Sequence, residues 1–332
     1  MSIERIDTIP ENDSEFVNLI QVLYSDSELK MVPNNLNLPY FHTAFYIRNK
    51  GRLILFNNPE LNINGKKAMS IGFFECVNEQ IIADSLITAA REEALKENAS
   101  WIVGPMNGST WETYRFSMNH ESPNFFLEPY HHLYYNDLWK ISGFDVLATY
   151  SSSMDKQMNL FNPGRFNDLH SRMKGNGVNI RKIDMQAFDE EIAKVYQFCI
   201  MAFAGNYLYT SISEIDFVKK YKQIKEVIDP DFILLAENPS NKIVAIFFAI
   251  PDIYNKLIPT LIVKTIARNP QREFAGITHI MGNQIIATAK QKGYQQMIHA
   301  FMHNHNESNI VSSKFSGEVF RNYALYAKQI KK

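Results

Sequence analysis

Cysteine is scarce in this sequence, at 2 of 332 residues, Cys76 and Cys199. The two lie far apart, each inside an apolar run, which excludes a disulfide framework and reads as a pair of reduced core thiols. Long hydrophobic runs are also missing. No stretch approaches the ~18 uninterrupted apolar residues that a membrane span needs, and the opening MSIERIDTIPENDSEF has no apolar segment of the signal-peptide kind. The expectation is therefore a cytoplasmic protein with no membrane partner. An excess of charge of either sign is absent as well. Lys+Arg 34 against Asp+Glu 35 leaves a formal charge of -1, so no overall field gathers nucleic acid or anionic lipid, and nucleic acid is not expected as a partner.

Hydrophobic residues at 45% and charged residues at 21% are ordinary globular usage, enough apolar material for two buried cores. The length is about twice a ~150-residue domain, which makes two domains the starting expectation. The stretch SSSMDKQMNLFNPG, residues 151–164, is polar at its start and broken by Asn-Pro-Gly, as a crossover would be. The sequence is divided there into domains 1–150 and 151–332.

In the second half the order of elements is legible. A helix over 165–173 is followed by a β-rich run at 178–183. Helical patterns at 186–203 and 212–228 come next, the first with Phe188, Ile192, Val195 and Phe198 on one face. FILLAEN and IVAIFFAI, separated by Pro239, Ser240 and Asn241, read as a hairpin, and a third strand covers 260–267. The period then changes from two to 3.6 across 277–292, Gly293 punctuates, and 296–302 reads as a strand. A short helix and a terminal strand finish the chain. Three strands in succession exclude a regular βαβ array and imply a mixed sheet, with 260–267 and 296–302 expected as parallel neighbours. The first half is a looser copy, with a helix over 13–24, strands near 52–56 and 68–75, a helix over 80–97, a strand at 101–103 and a helix over 133–141.

Chemistry is concentrated at the junction RNPQREFAGITHIMG, residues 268–282, where a strand entering a helix at a glycine leaves backbone N–H groups pointing outward, as phosphate cradles do. The segment Glu273, Phe274, Ala275, Gly276, Ile277, Thr278 resembles the pyrophosphate loop Q/R-x-x-G-x-G/A of the GNAT superfamily of acyl-CoA N-acyltransferases. Gly276 matches, Glu273 replaces the basic or amide residue, and Thr278 replaces the second small one. A second fragment, NESNIVSSKFSGEVF, residues 306–320, resembles that superfamily's closing helix N-x-x-A-x-x-x-Y-x-x-x-G-F. Asn306 and Gly317 fit, and Ser313 stands at the Tyr place. In the first half Trp139 stands at the corresponding Tyr place, before Gly143-Phe144, and the loop before the helix at Gln80 has no glycine. Taken together the chain resembles a divergent bacterial two-domain GNAT protein.

That resemblance implies a fold of the α/β class (mixed α+β), two tandem GNAT-like domains, each a twisted mixed sheet flanked by helices. It implies acetyl-CoA or another acyl-CoA as co-substrate, held by residues 273–278 with Asn306 and Ser313, and transfer to a small-molecule amine or a peptide. A Tyr in many such enzymes protonates the departing thiolate, and a serine hydroxyl is a much poorer acid. Tyr323 and Tyr326 on the terminal strand are therefore the alternative acids, against the reading that they are core. Asp252 and Glu75, each near the end of a strand, are the acidic residues placed to act as general base, or equally to cap turns. His131 with His132, and His303 with His305, lack the nearby Cys or acidic cluster of a metal site. Two further readings stand beside the transferase: a degenerate GNAT pair that binds a small molecule or protein, and a transferase drawing on charged tRNA, which the charge balance does not favour.

Overall fold

The computed structural model describes residues 2–12, 14–32, 38–160, 163–304 and 316–331. The chain forms two compact units, and they do not follow from a single cut. One comprises Met1–Tyr150, Tyr207–Thr210 and Arg321–Lys332, the other Ser151–Asn206 and Ser211–Phe320.

The first unit contains β1 (Glu4–Ile6), the one-turn helices α1 (Glu15–Asn18), α2 (Ile20–Leu23) and α3 (Asp26–Leu29), β2 (Phe41–Ile47), β3 (Gly51–Phe56), β4 (Asn62–Ile63), β5 (Lys66–Cys76), α4 (Gln80–Lys96), β6 (Trp101–Gly104), β7 (Phe116–Ser117) and α5 (Tyr135–Ile141). The strand β8 (Asp145–Asp155) carries the chain into the second unit. There follow α6 (Pro163–Gly175), β9 (Asn179–Lys182), α7 (Phe188–Ala202), α8 (Glu214–Lys222), β10 (Ile233–Glu237), β11 (Ile243–Pro251), β12 (Thr260–Arg268), α9 (Ile277–Gln291) and β13 (Gln296–His303). The last strand, β14 (Glu318–Gln329), ends the chain.

Both units repeat one architecture. In the first, the sheet runs β1-β2-β3-β5-β6-β14, antiparallel except for β5 and β6, which are parallel and joined by α4. In the second it runs β13-β12-β11-β10-β9, with β12 and β13 the parallel pair, joined by α9. The core forms where periodicity requires it. Ile82, Leu86, Ile87, Ala90 and Ala94 of α4 bury one helical stripe against Leu53, Leu55, Met69 and Ile71. Ile277, Ile280, Met281, Ile285 and Ala289 of α9 do the same against Phe247, Leu261 and Val263. Phe248, the next residue on β11, points to the opposite face, against Tyr221 of α8.

Three departures from the sequence reading have physical causes. The helix expected over 13–24 is broken at Leu19, because the guanidinium of buried Arg52 donates to the carbonyls of Phe16 (2.7 Å) and Val17 (3.0 Å), competing with the N–H groups one turn on. The strand β2 was not foreseen. And β14 joins the first unit although it comes last in the chain: Tyr326 pairs with Gly104 and Gln329 with Trp101. Residues 207–210 are likewise held by the first unit, since Asn58 Nδ2 donates to Thr210 Oγ1 (3.1 Å) and Trp111 Nε1 to the Thr210 carbonyl (2.9 Å).

Candidate active site

In each unit the central parallel pair begins in register and then parts. In the second unit Thr260, Leu261, Ile262 and Val263 pair with Gln296, Met297, Ile298 and His299, and pairing stops there although both strands continue. On its other edge β12 carries a bulge: Phe248 faces Thr265 and Ala249 faces Val263, so Lys264 is the extra residue. Such a bulge bends the strand, here at the rung where it leaves its parallel neighbour. In the first unit β5 and β6 pair from Ala68↔Trp101 to Ser70↔Val103 and then part, and Arg52↔Glu75 with Ile54↔Gly72 leave Phe73 and Phe74 opposite Leu53.

The two gaps differ in what fills them. In the first unit the chain leaving β6 turns back as a plug: the Met106 N–H donates to the Ile71 carbonyl (2.8 Å) and Asn107 Oδ1 accepts from the Phe73 N–H (3.1 Å). A Cβ on Gly72 would lie 2.2 Å from that Oδ1, so the space is taken. Trp139, at the expected Tyr place, is buried among Phe74, Phe116 and Tyr326. Among the described residues no corresponding plug bonds to residues 265–267 of the second unit.

Beyond β12 a 3₁₀ turn (Arg272–Phe274) leads to Gly276, which caps α9 at φ 90°. Glycine is required there twice over: the backbone is left-handed, and a Cβ would meet Leu169 Cδ2 at 2.9 Å. Among the described contacts the N–H groups of Gly276, Ile277 and Thr278 have no partner, as expected of the first turn of a helix, whereas that of Ala275 donates to the Arg272 carbonyl (3.1 Å). A cationic side chain from a distant part of the sequence stands beside this turn. Arg172 on α6 donates to the Ala275 carbonyl and lies 3.7 Å from where a Gly276 Cβ would be; Asn176 Nδ2 donates to the Glu273 carbonyl (3.4 Å). Arg172 was missed in the sequence because it stands on a helix about a hundred residues upstream, with no motif around it.

The other residues singled out in the sequence have different surroundings. Asp252 is buried just past the end of β11, beside the first residue of β12: its N–H donates to the Thr260 carbonyl (2.9 Å) and its Oδ1 accepts from the Tyr254 N–H (3.1 Å). It caps that turn. β12 is 9 residues long, so at ~3.3 Å per residue Asp252 and the Gly276 turn flank ends about 26 Å apart. Tyr323 and Tyr326 lie in the first unit, both 0% exposed, their hydroxyls donating to Glu128 Oε1 (2.6 Å) and Asn136 Oδ1 (2.8 Å). Their alternation on the terminal strand is that of core residues, and they fall in a different unit from Gly276. Asn306, Ser313 and His305 lie outside the described residues.

Glu75 is buried, with Oε2 accepting from Tyr24 (2.7 Å) and Tyr135 (2.8 Å). Burial raises its pKa, and Arg52, directly opposite on β3, works against the shift. His131 Nε2 accepts from the Ser117 N–H (2.6 Å), while His132 Nε2 bonds to the Leu23 carbonyl (3.0 Å); the two imidazoles serve different segments. In the second unit His299, on the last paired rung before the strands part, is held below the usual imidazole range, to about 4, by burial.

No protein-family model and no curated protein matches the chain. Solved structures do. A tandem GNAT protein from the clavulanic acid biosynthesis pathway aligns over 100% of this chain and 99% of its own, at 11% identity and a TM-score of 0.56. A GCN5-related N-acetyltransferase from Sphaerobacter thermophilus aligns over 99% and 96%, at 11% identity and 0.54. The GCN5-related glucosamine N-acetyltransferase region of a fungal multi-domain β-N-acetylglucosaminidase aligns with 98% of this chain, at 11% identity and 0.57, and the chain spans 38% of that protein's length. No helix among the described residues is long and apolar enough to cross a membrane. The chain has the fold of the GCN5-related N-acetyltransferases in its tandem form, two mixed α/β units each flanked by helices.

Proposed function

We propose that the second unit is an acyl-CoA-dependent N-acyltransferase acting on a small-molecule or peptide amine, and that the first unit supports it. The observation that carries this reading is the contrast between the two gaps: β5 and β6 part onto a plug made by Met106 and Asn107, while β12 and β13 part without one among the described residues. An acyl-pantetheine arm needs such a slot, and a diphosphate needs the feature at its end, a glycine-capped helix N-terminus with N–H groups to donate. Gly276, Ile277 and Thr278 would hold the diphosphate through their N–H groups. Arg172 would add the positive charge that Glu273 withholds, and Asn306 and Ser313 belong to the proposed site from the sequence alone.

Bound acyl-CoA supplies a reactive thioester. The protein's contribution is then chiefly to fix amine and carbonyl within reach of one another, which alone is worth several kcal/mol of barrier, and to keep bulk water from the slot. Asp252, Tyr323 and Tyr326 have structural duties in the described geometry and are not assigned to proton transfer. A second reading, binding without transfer, is favoured by one observation: the two tyrosines that the sequence offered as acids are enclosed in the first unit. Calorimetric titration with acetyl-CoA, followed by a thiol-release assay over a panel of amines, tests both. Binding with release supports the transferase, binding without release moves the reading to the second, and absence of binding overturns the site.

A further inference from the structure

Past the bulge β12 changes character. Thr260, Leu261, Ile262 and Val263 are buried, whereas every residue from 264 to 268 is half-buried, on both faces of the sheet. Thr265 pairs with Phe248, so the two side chains share the face turned away from α9. There Phe248 packs against Tyr221 of α8 (ring centroids 5.9 Å apart), and Tyr221 packs on Phe217 (4.7 Å). On that face, at the level where β12 leaves β13, the wall is made of rings carried by α8. Its polar end is uncommitted. Tyr221 is half-buried, and among the described residues its hydroxyl makes no hydrogen bond. Tyr196, on neighbouring α7, donates to the Ile212 carbonyl (3.1 Å), and Tyr323 and Tyr326 donate within the first unit, as an enclosed phenol ordinarily does. Burial pushes the Tyr221 pKa up, and the thiol of Cys199 adds to the shift, so the hydroxyl keeps its proton at neutral pH and is available as a donor.

We propose that Tyr221 is a catalytic residue of the second unit, its O–H donating to the carbonyl oxygen of the thioester and holding the negative charge that gathers there as the amine adds. The proposal rests on the acyltransferase reading of the slot and names a donor for it. α9 and its core close the other face of the sheet, so the amine meets the carbonyl from the side of Tyr221. Its nitrogen adds to the carbonyl carbon, the C–S bond breaks, and the sulfur leaves with the proton that the nitrogen gives up; Tyr221 keeps its own proton throughout. One preorganised donor of this kind is worth roughly 10²–10³-fold in turnover.

The test is Tyr221→Phe, which removes the hydroxyl alone. In a thiol-release assay with acetyl-CoA and a panel of amines, turnover falls roughly hundredfold, while the unfolding midpoint and the affinity for CoA itself stay at the parental values because no described hydrogen bond is lost. Tyr196→Phe is the control with the opposite signature, a lower midpoint and parental turnover, since its hydroxyl has a partner. Calorimetry supplies a reading without turnover, acetyl-CoA against S-ethyl-CoA, which lacks the carbonyl oxygen. The parent prefers acetyl-CoA by about fivefold, the worth of one neutral hydrogen bond, and Tyr221→Phe brings the two within about twofold. Turnover of Tyr221→Phe within about threefold of the parent, a midpoint that falls in step with turnover, or the same preference for acetyl-CoA in parent and variant overturns the proposal. Failure of the acyltransferase reading is distinct: the parent itself then binds no CoA or releases no thiol with any amine, and the role of Tyr221 falls with it.

Discussion

Replacing Arg321 by leucine is expected to destabilise the protein by about 3–5 kcal/mol, the usual cost of leaving one member of a buried ion pair without the other. Arg321 and Glu128 have side chains 0% exposed, with Nε 2.9 Å from Oε1. The guanidinium also donates to the carbonyls of Asn119 (2.5 Å), Ser122 (2.7 Å) and Pro123 (3.1 Å). In the variant Glu128 keeps the Tyr323 hydroxyl (2.6 Å) and the Phe125 N–H (3.4 Å), but no cation, and three carbonyls lose a donor. Against a total stability of roughly 5–15 kcal/mol this is a large fraction. Removing both partners, Arg321→Leu with Glu128→Leu, is expected to recover part of the loss, because a buried pair exchanged for apolar groups of similar volume is often close to neutral. Urea unfolding of the parent, both single variants and the double variant gives the coupling energy directly. A loss below about 1 kcal/mol for Arg321→Leu, or strictly additive single and double variants, would refute the assignment of the terminal strand as a charged rivet of the first unit.

Other outcomes follow from the same geometry. Gly276→Ala and Gly276→Asp are both expected to lose roughly 1–2 kcal/mol from the left-handed backbone, whereas weaker CoA binding beyond that shared effect is expected of the aspartate alone; equal affinities in calorimetry would place the diphosphate elsewhere. Arg172→Ala is expected to raise the dissociation constant for CoA by about tenfold, the worth of a charge-assisted hydrogen bond, with a loss of stability below about 1 kcal/mol from its exposed bond to the Ala275 carbonyl; an unchanged constant removes Arg172 from the site. Tyr326→Phe is expected to cost about 1 kcal/mol of stability and leave thiol release at the parental rate, so a drop in rate without a drop in stability would return it to the reaction. His131 is held to about 3 by burial, below its unfolded value near 6.5, so its contribution is whole above pH ~6.5 and falls away as pH drops towards 3, by about 2 kcal/mol at pH 5. Unfolding midpoints from pH 7 to 5 should therefore fall more steeply in the parent than in His131→Gln, and parallel curves would contradict this.

Much of the architecture was legible because its causes are local. The change of period from two to 3.6 after Arg268-Asn269-Pro270 marked β12 and α9, and the succession of three strands excluded a parallel array and required a mixed sheet. Gly276 was legible as a turn, since a glycine between a strand and a helix has few other uses. The break in the first helix was not, because it depends on Arg52, which reaches those carbonyls only after β3 has paired.

What the sequence by itself determined was the order of most elements between residues 178 and 302 and part of the order in the first half, with the parallel pair at residues 260–267 and 296–302, since side-chain period and turn chemistry act over a few residues. Tertiary structure alone decided which sheet the last strand would join, for an alternating strand specifies a buried face and not a partner; with that choice Tyr323 and Tyr326 became core residues of the first unit. It also decided that Arg172 would stand at the Gly276 turn, that Met106 and Asn107 would plug one gap, and that Lys264 would be the inserted residue at the other, because each is fixed by contacts between residues distant in sequence whose geometry no local pattern encodes.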